Sequence, residues 1–269
     1  MFASGATAYD RFMGRWSRLL APRFADDAGV SRGLRAIDVG CGPGALLTEL
    51  VTRLGTDHVA GVDPSESFVA AARDRQPGVD VRVAPAERLP FPDDAFDVAL
   101  AQLVVHFMAD PVAGLREMAR VTRPGGVVAA CVWDYGGHRD PLRTFWAAAR
   151  SLEPGVGDES GLAGVRDGHL VELLEAAGLG RVTQSVLRVE LEHPGFDAWW
   201  QPYTEGVGPA GTYLARLDEA HRAALRDACR AMLPDGPFVL DACAWAARGT
   251  VPGSGGDQLR EAADDEVRG

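Results

Sequence analysis

The stretch Ala36-Ile37-Asp38-Val39-Gly40-Cys41-Gly42-Pro43-Gly44-Ala45 decides the fold. A short apolar run ends at an acidic residue, is broken by glycines spaced by two, and resumes with helical apolar spacing over residues 46–54. This pattern predicts a strand, a tight turn and a helix. Glycine lets the backbone turn sharply and lets a ligand approach where a Cβ would clash. The stretch therefore predicts a small-ligand site at the carboxyl end of a strand.

The glycine spacing fits two cofactor classes. Read as G-x-G-x-x-A from Gly40, with Asp63 as a ribose-binding acid, it satisfies a loose dinucleotide fingerprint. Read as D-x-G-x-G-x-G from Asp38, it places an acidic residue two positions before the first glycine. An acid at a strand end helps to hold a cationic ligand group, either directly or through water. The loop alone leaves both cofactors open.

The overall charge limits the partners of the chain. Its 269 residues carry a formal net charge of −11, and all 27 basic residues are arginine. An acidic chain without a basic patch argues against nucleic acid or an anionic membrane as a partner, and the missing lysine excludes lysine-based catalysis. With 46% hydrophobic residues, we expect one domain with added helices. The oligomeric state is left open.

Cysteines and histidines show no metal-binding pattern. The four cysteines are scattered without a C-x-x-C pair, which predicts reduced thiols in a cytoplasmic protein. The six histidines are dispersed, so we expect no metal site. The sequence has no signal region and no apolar run of bilayer length, so we expect no membrane span.

A second acidic residue ends a second apolar run. Residues 58–63 predict a buried strand that ends at Asp63, after which Pro64 and Ser65 begin a helix. A carboxylate at a strand end can accept hydrogen bonds from both hydroxyls of a ribose. The alternative role of Asp63 is to cap the following helix. Two acids at strand ends favour binding, because ligands of open α/β sheets bind there.

Residues beyond the glycine loop separate the two cofactors. Residues 84–97 read A-P-A-E-R-L-P-F-P-D-D-A-F-D and resemble the A-E-x-L-P-F-x-D-x-x-F-D signature of type 11 methyltransferases, a group related to the ubiquinone and menaquinone methylases. The R-x-x-R-P-G-G passage from Arg120 to Gly126 resembles the same family. The Asp38 frame resembles motif I of class I S-adenosylmethionine-dependent methyltransferases. The resemblance covers Ala36 to about Trp133.

The resemblance implies an α/β fold with a Rossmann-like, mostly parallel seven-stranded sheet, an antiparallel edge strand, helices on both faces and a helical cap. It implies a single domain over residues 1–252, with a helical lid at 1–35 and a cofactor-binding core at 36–133. We expect cap insertions at 134–165 and 193–237, the second containing a helix over 213–233. The glycine-rich and then acidic residues 253–269 predict a disordered tail.

The cofactor that the resemblance implies is S-adenosylmethionine. Its methionine end would be held by the motif I residues, its ribose by Asp63 and its adenine by residues after the second and third strands, while a fourth-strand residue would close the site. In chain order these residues are Asp38, Gly40, Cys41, Gly42, Gly44, Asp63, Pro64, Ala86, Glu87 and Gln102. The alternative role of Glu87 is a helix cap.

The N-terminal segment has two possible roles. Aromatic and apolar residues at helical spacing predict a helix from about Arg15 to Phe24 that covers the sheet edge. Alternatively, the segment is a lid in which Tyr9 or Arg15 reaches the methionine carboxylate.

The acceptor site is expected on the methyl side, beyond the fourth and fifth strands. His106 follows the fourth strand, and its ordinary pKa of about 6.5 suits a general base, although a packing or gating role is also open. Trp199, Trp200 and Tyr203 predict an aromatic acceptor pocket or, alternatively, a hydrophobic brace. A pocket under the Tyr9–Trp16 segment is the fallback. We expect a small, partly apolar acceptor, methylated at oxygen, nitrogen or carbon.

Two other function classes remain. A nicotinamide-dependent oxidoreductase would need an acid–base pair such as Tyr-x-x-x-Lys, which a chain without lysine does not have. A non-catalytic S-adenosylmethionine-binding protein would keep the same cofactor residues. The large variable cap favours catalysis by in-line methyl transfer.

Overall fold

Seven strands form one sheet in the computed structural model, which describes residues 5–253. The strands are β1 (Ala36–Val39), β2 (Val59–Asp63), β3 (Asp80–Val83), β4 (Phe96–Gln102), β5 (Thr122–Trp133), β6 (Gly180–His193) and β7 (Phe238–Thr250). Every residue of β1 and β2 is buried, as the unbroken apolar runs predict for parallel strands covered on both faces.

The strand β1 pairs in parallel with both β2 and β4, in a sheet of order β3-β2-β1-β4-β5-β7-β6. The chain builds β2 and β3 on one side of β1 and then crosses to β4 on the other side. Ligands of open α/β sheets bind at such a switch point, beyond the carboxyl ends of the strands. The mostly parallel, Rossmann-like sheet with an antiparallel edge is confirmed. The antiparallel strand is β7, which lies between β5 and the outermost strand β6.

Helices pack around the sheet. They are α1 (Ala6–Arg11), α2 (Met13–Asp27), α3 (Ala45–Leu54), α4 (Glu66–Arg75), α5 (Pro111–Val121), α6 (Arg143–Leu152), α7 (His169–Ala176), α8 (Phe196–Trp200), α9 (Gly208–Arg216) and α10 (Glu219–Ala231). The helix α2 packs on α3 and on β6, and α5 packs on α7. None of the helices in the described range 5–253 has the length and apolar character needed to cross a membrane.

Side-chain caps define several helix starts. Asp110 accepts the backbone N–H of Ala113 at 3.0 Å, and Pro111 occupies the first turn of α5, where its missing N–H costs nothing. The helix predicted over 213–233 is instead two helices. Asp218 accepts the N–H of His221 at 2.8 Å and starts α10, which breaks the pattern after α9.

The predicted cap insertions contain helices. The helix α6 lies within residues 134–165, and α8, α9 and α10 lie within or overlap residues 193–237. The lid segment likewise contains α1 and α2. The tail predicted over 253–269 lies, apart from Gly253, outside the described residues.

Candidate functional site

The glycine loop leaves open space at one of its glycines. Gly40, Gly42 and Gly44 have φ angles of +73°, +52° and +95°, a backbone region that favours glycine. A Cβ at Gly40 would lie 2.5 Å from both γ-carbons of Val104, so this glycine is needed for packing. A Cβ at Gly42 would meet no protein atom within 4 Å. Gly42 therefore borders the space into which a ligand fits.

The side chain of Asp38 lies next to this loop, and the hydrogen-bonding capacity of its carboxylate is only partly used. The residue is 1% exposed, and its Oδ2 has no hydrogen-bond partner among the described residues. Burial, together with the charge of Asp63, raises the pKa of Asp38 to about 8, while a backbone hydrogen bond from Leu47 opposes the shift. A buried, unpaired carboxylate oxygen fits a cationic partner such as the ammonium of a methionine group.

Asp63 connects the glycine loop to the end of β2. Its Oδ2 accepts the backbone N–H of Gly42 and its Oδ1 accepts that of Ser65, both at 2.9 Å. Burial raises the pKa of Asp63, and these two hydrogen bonds oppose the shift. Each carboxylate oxygen keeps a second acceptor position, so binding of ribose hydroxyls stays a prediction that the geometry allows. The cap of α4 is Ser65, whose hydroxyl accepts the N–H of Phe68 at 3.4 Å.

The residues expected at the adenine differ in exposure. Pro64 is exposed directly after β2. Ala86 is buried beside α5, so close to Gly114 that a Cβ atom at position 114 would lie 3.4 Å from the Ala86 Cβ. The Oε1 atom of Glu87 accepts the backbone N–H groups of Ala109 and Asp110, at 2.8 and 3.2 Å. Glu87 therefore holds the loop before α5, a role similar to the helix cap that was its alternative assignment. Its contact with adenine stays a prediction.

Two residues expected at the cofactor have protein partners elsewhere. Arg15 donates to the carbonyl oxygen of Glu192 at 3.0 Å, at the end of β6. This hydrogen bond gives Arg15 a protein partner at the end of β6, and its contact with the cofactor stays a prediction. Gln102 donates from Nε2 to the carbonyl oxygen of Ser17 at 3.1 Å and so fastens α2 to β4.

Tyr9 lies near the two strand-end acids. Its pKa is raised mainly by burial and also by the charges of Asp63, Asp10 and Asp38. Its ring packs against Phe68 on α4, with 5.5 Å between the ring centroids. The lid role expected of the N-terminal segment is compatible with this position of Tyr9, and the contact of Tyr9 or Arg15 with the cofactor stays a prediction.

A pocket lies between the N-terminal segment, the ends of β4 and β5, and the cap. Its lining is largely apolar and aromatic. The lining residues are Tyr9, Phe12, Met13, Leu103, His106, Phe107, Trp133, Tyr135, Leu142, Glu159, Val207, Gly208, Pro209 and Ala210. This pocket, called the acceptor pocket below, lies beside the end of β4 and under the fallback segment Tyr9–Trp16, and its role as the acceptor site stays a prediction.

The backbone is strained where β4 ends at the acceptor pocket. Leu103 has a φ angle of +62°, which is unusual for a residue with a side chain. Its N–H donates to the carbonyl oxygen of Cys131 at 2.8 Å, so pairing with β5 holds this conformation. Strained residues cluster at functional sites. The sequence contains no signal for this turn.

His106 is a weaker base than its ordinary pKa suggested. The ring is 8% exposed, and Nδ1 has no hydrogen-bond partner in the described chain. Burial lowers the pKa of His106 to about 3, so the ring is neutral at pH 7 and accepts a proton poorly. Its ring lies 3.9 Å from that of Phe107 and 6.0 Å from that of Tyr135, measured between centroids. These contacts favour the packing or gating role.

The tryptophan pair does not line the acceptor pocket. Trp199, Trp200 and Tyr203 are 3%, 6% and 2% exposed and pack in an aromatic cluster with Phe145. Tyr203 stacks on Phe145 with 4.7 Å between the ring centroids, and its edge meets Phe12 at 4.8 Å. Through Phe12, which lines the pocket, this cluster supports the pocket wall. Their burial and ring packing favour the hydrophobic brace, and the substrate role stays an untested prediction.

Sequence reasoning missed most residues of the pocket wall, including Tyr135 and Glu159. Tyr135 follows β5, and Glu159 begins a one-turn helix in the cap. Neither belongs to a motif of the glycine-loop core, and neither stands in a periodic pattern. Their positions depend on how the cap folds back over the sheet.

Comparison with known proteins identifies the core. Residues 37–130 match the family described as a methyltransferase domain. A ubiquinone biosynthesis O-methyltransferase from Rhodopseudomonas palustris is 43% identical over 100 residues, which cover 36% of this chain and 38% of the relative. A ubiquinone/menaquinone biosynthesis C-methyltransferase from Geobacter sulfurreducens is 37% identical over 103 residues, which cover 36% and 40%. The chain thus spans less than half the length of these curated relatives.

A solved structure extends the likeness in fold. An N-methyltransferase from Haemonchus contortus, in complex with phosphomonomethylethanolamine and S-adenosylhomocysteine, is 17% identical with a TM-score of 0.55, covering 92% of this chain and 57% of that one. The fold and the strand-end acids define a Rossmann-like cofactor-binding domain. Residues 37–130 are similar to class I S-adenosylmethionine-dependent methyltransferase domains of the type 11 family.

Proposed function

We propose that this chain transfers a methyl group from S-adenosylmethionine to a small, mostly apolar acceptor by in-line displacement. The observation that carries the proposal is the position of Tyr9. It lines the acceptor pocket and is also close enough to Asp38 and Asp63 for their charges to raise its pKa. This position of Tyr9 supports a donor site next to the acceptor pocket, as methyl transfer requires.

The residues near the glycine loop fit the cofactor. We assign Asp38 and the loop around Gly42 to the methionine end, and Asp63 to the ribose. The orphaned Oδ2 of Asp38 and the open space at Gly42 support this assignment. S-adenosylmethionine supplies an electrophilic methyl group, so the reaction needs no protein nucleophile. The protein contributes by holding the reactants in line, an effect worth up to about 7–11 kcal/mol in favourable cases.

The walls of the pocket support an acceptor with a large apolar part. Aromatic and aliphatic side chains dominate the lining, and such walls bury a small organic molecule and exclude water. We assign His106 to positioning within this wall, because its lowered pKa makes it a poor proton acceptor at neutral pH. The net charge of −11 is compatible with a small-molecule acceptor rather than nucleic acid. The four free, buried cysteines fit the cytoplasmic location that we propose.

Titration calorimetry with S-adenosylhomocysteine and, in parallel, NADH tests the cofactor assignment. We expect S-adenosylhomocysteine to bind and to raise the melting temperature, because a ligand that binds only the native state stabilises it. We expect no binding of NADH. Tight binding of NADH without binding of S-adenosylhomocysteine would overturn the proposed function.

A further inference from the structure

Glu159 places a carboxylate in the wall of the acceptor pocket where no protein group pairs with it. It begins the one-turn helix Glu159–Gly161 and is 3% exposed. Within residues 5–253, neither of its carboxylate oxygens accepts a hydrogen bond of ordinary geometry. The backbone N–H of Glu159 itself and the indole N–H of Trp146 are close enough to oppose the rise in its pKa. Buried polar groups without partners are rare in native proteins and need an explanation.

The charged groups around Glu159 are acidic or already paired. Burial raises the pKa of Glu159 to about 7, and the charges of Asp140 and Asp158 add to the shift. Arg150 forms an ion pair with Asp158, and Arg143 forms one with an acid on β7. Among the charged side chains described here, none supplies a positive partner to Glu159. A cation that satisfies this carboxylate therefore comes from a ligand.

Aromatic rings form much of the remaining wall. Phe12, Phe107, Trp133 and Tyr135 line the same pocket as Glu159. The faces of aromatic rings attract cations, and the attraction grows when the cation is removed from water. A carboxylate among aromatic rings is the chemistry that recognises an ammonium attached to an apolar body.

Tyr9 and Tyr135 line the same pocket as Glu159. The pKa of Tyr135 is raised by burial and then by the charges of Glu159 and Asp140, with a further contribution from Tyr9. The pKa of Tyr9 is raised mainly by burial and in part by the charge of Asp63. We therefore place one end of the acceptor near the cofactor acids and the other end near Glu159.

We propose that Glu159 is the specificity-determining residue of the acceptor pocket, and that the acceptor is an apolar amine whose ammonium pairs with this carboxylate. The inference rests on the proposed function and names its substrate class. The ammonium is the anchoring group, and the atom that receives the methyl group lies at the other end of the pocket, toward Tyr9. Glu159 is thus a positioning residue, with no part in proton transfer.

A pair of probes that differ in one group tests the inference. Tryptamine and indole-3-ethanol share the same ring and chain, but the first carries an ammonium and the second a neutral hydroxyl. Their binding is measured by calorimetry on the full chain saturated with S-adenosylhomocysteine. We expect tryptamine to bind about tenfold more tightly or better, because the ammonium gains both the carboxylate and the aromatic faces.

Two variants separate the buried carboxylate from general effects of charge. Glu159→Gln should remove the preference for tryptamine while leaving binding of S-adenosylhomocysteine unchanged. Glu153→Gln removes the same charge from an exposed position at the end of α6 and should keep the preference. Melting temperatures of both variants check that they are folded. Loss of an unpaired buried charge should leave Glu159→Gln at least as stable as the parent protein.

The pH dependence gives a readout that needs no variant. Only the ionised carboxylate pairs with an ammonium, so the affinity of the unmodified protein for tryptamine should rise about tenfold between pH 6 and pH 8, as Glu159 titrates with a pKa of about 7. Glu159→Gln should lose most of this rise and keep only a smaller part that comes from Asp140, whose pKa is also raised to about 7.

The outcomes distinguish this inference from the proposed function. If S-adenosylhomocysteine does not bind, the proposed function fails. If it binds but tryptamine binds no better than indole-3-ethanol, including the case in which neither binds at millimolar concentration, only the amine assignment fails. Retention of the preference in Glu159→Gln would also overturn the assignment.

Discussion

Gly42→Ala tests directly where the cofactor lies. Gly42 has a φ angle of +52°, and a Cβ there meets no protein atom within 4 Å. This backbone costs a non-glycine residue roughly 1–2 kcal/mol, partly offset by about 0.4–1 kcal/mol from the reduced freedom of the unfolded chain. We therefore expect the apo variant to melt only about 2–4 °C lower, the usual shift per kcal/mol for a domain near this size. The new methyl group occupies the space assigned to the cofactor, so affinity for S-adenosylhomocysteine should fall about tenfold or more.

Two other glycines provide the controls for this experiment. Gly33→Ala imposes the same kind of strain, because Gly33 has a φ angle of +89° and open space around it, but it lies in an exposed loop before β1 and should keep full affinity. Gly40→Ala should lose more stability, by about 1–3 kcal/mol of overpacking against Val104. Thermal unfolding of the apo proteins is followed by calorimetric titration with S-adenosylhomocysteine. Parent-like affinity in Gly42→Ala, or an equal loss in Gly33→Ala, would refute the reasoning.

Three further changes test the site and the core. Asp63→Asn should weaken binding of S-adenosylhomocysteine about 10- to 100-fold, because a charged hydrogen-bond acceptor is lost. The control Asp80→Asn, which changes an exposed acid on β3, should leave the affinity unchanged. Equal affinities of the two variants by calorimetry would place the ribose elsewhere. Trp199→Ala should cost roughly 3–5 kcal/mol of stability by leaving a cavity, with little effect on binding by the folded protein; a parent-like melting temperature would contradict the brace. The melting temperature should fall between pH 6.5 and pH 8. In this range, native carboxyls with raised pKa values still bind protons that the unfolded chain has lost, and this stabilisation disappears as the pH rises through those pKa values. A flat profile would show that the carboxyls are not buried as described. These carboxyls, with pKa values of about 7 to 8, are Asp38, Asp140 and Glu159.

The window for the pH prediction follows from opposing groups. His106 and His193 have pKa values lowered by burial to about 3 and about 4, so they add stability as pH rises toward their unfolded value. That contribution is complete near pH 6.5, the ordinary pKa of histidine. Among the groups with shifted pKa values that titrate below pH 9, the buried carboxyls therefore determine how stability changes above this pH.

The sequence by itself determined the order of the core elements and the place of the cofactor acids. The glycine loop after β1 follows from local backbone geometry, because closely spaced glycines permit positive φ angles that other residues avoid. Asp38 and Asp63 come together because the carboxyl ends of neighbouring parallel strands meet at one edge of the sheet. Helix starts such as Asp110-Pro111 are equally local, since the cap bonds a residue three positions away.

Only the tertiary structure decided which side chains line the acceptor pocket. Trp199 and Glu159 both lie in irregular cap segments, where no period relates sequence position to the inner face. The packing of the cap on the sheet buries Trp199 in the aromatic cluster and brings Glu159 to the pocket wall. The pKa of His106 and the partner of Arg15 were likewise unreadable from the sequence, because burial and contact across more than a hundred residues are set by the assembled fold.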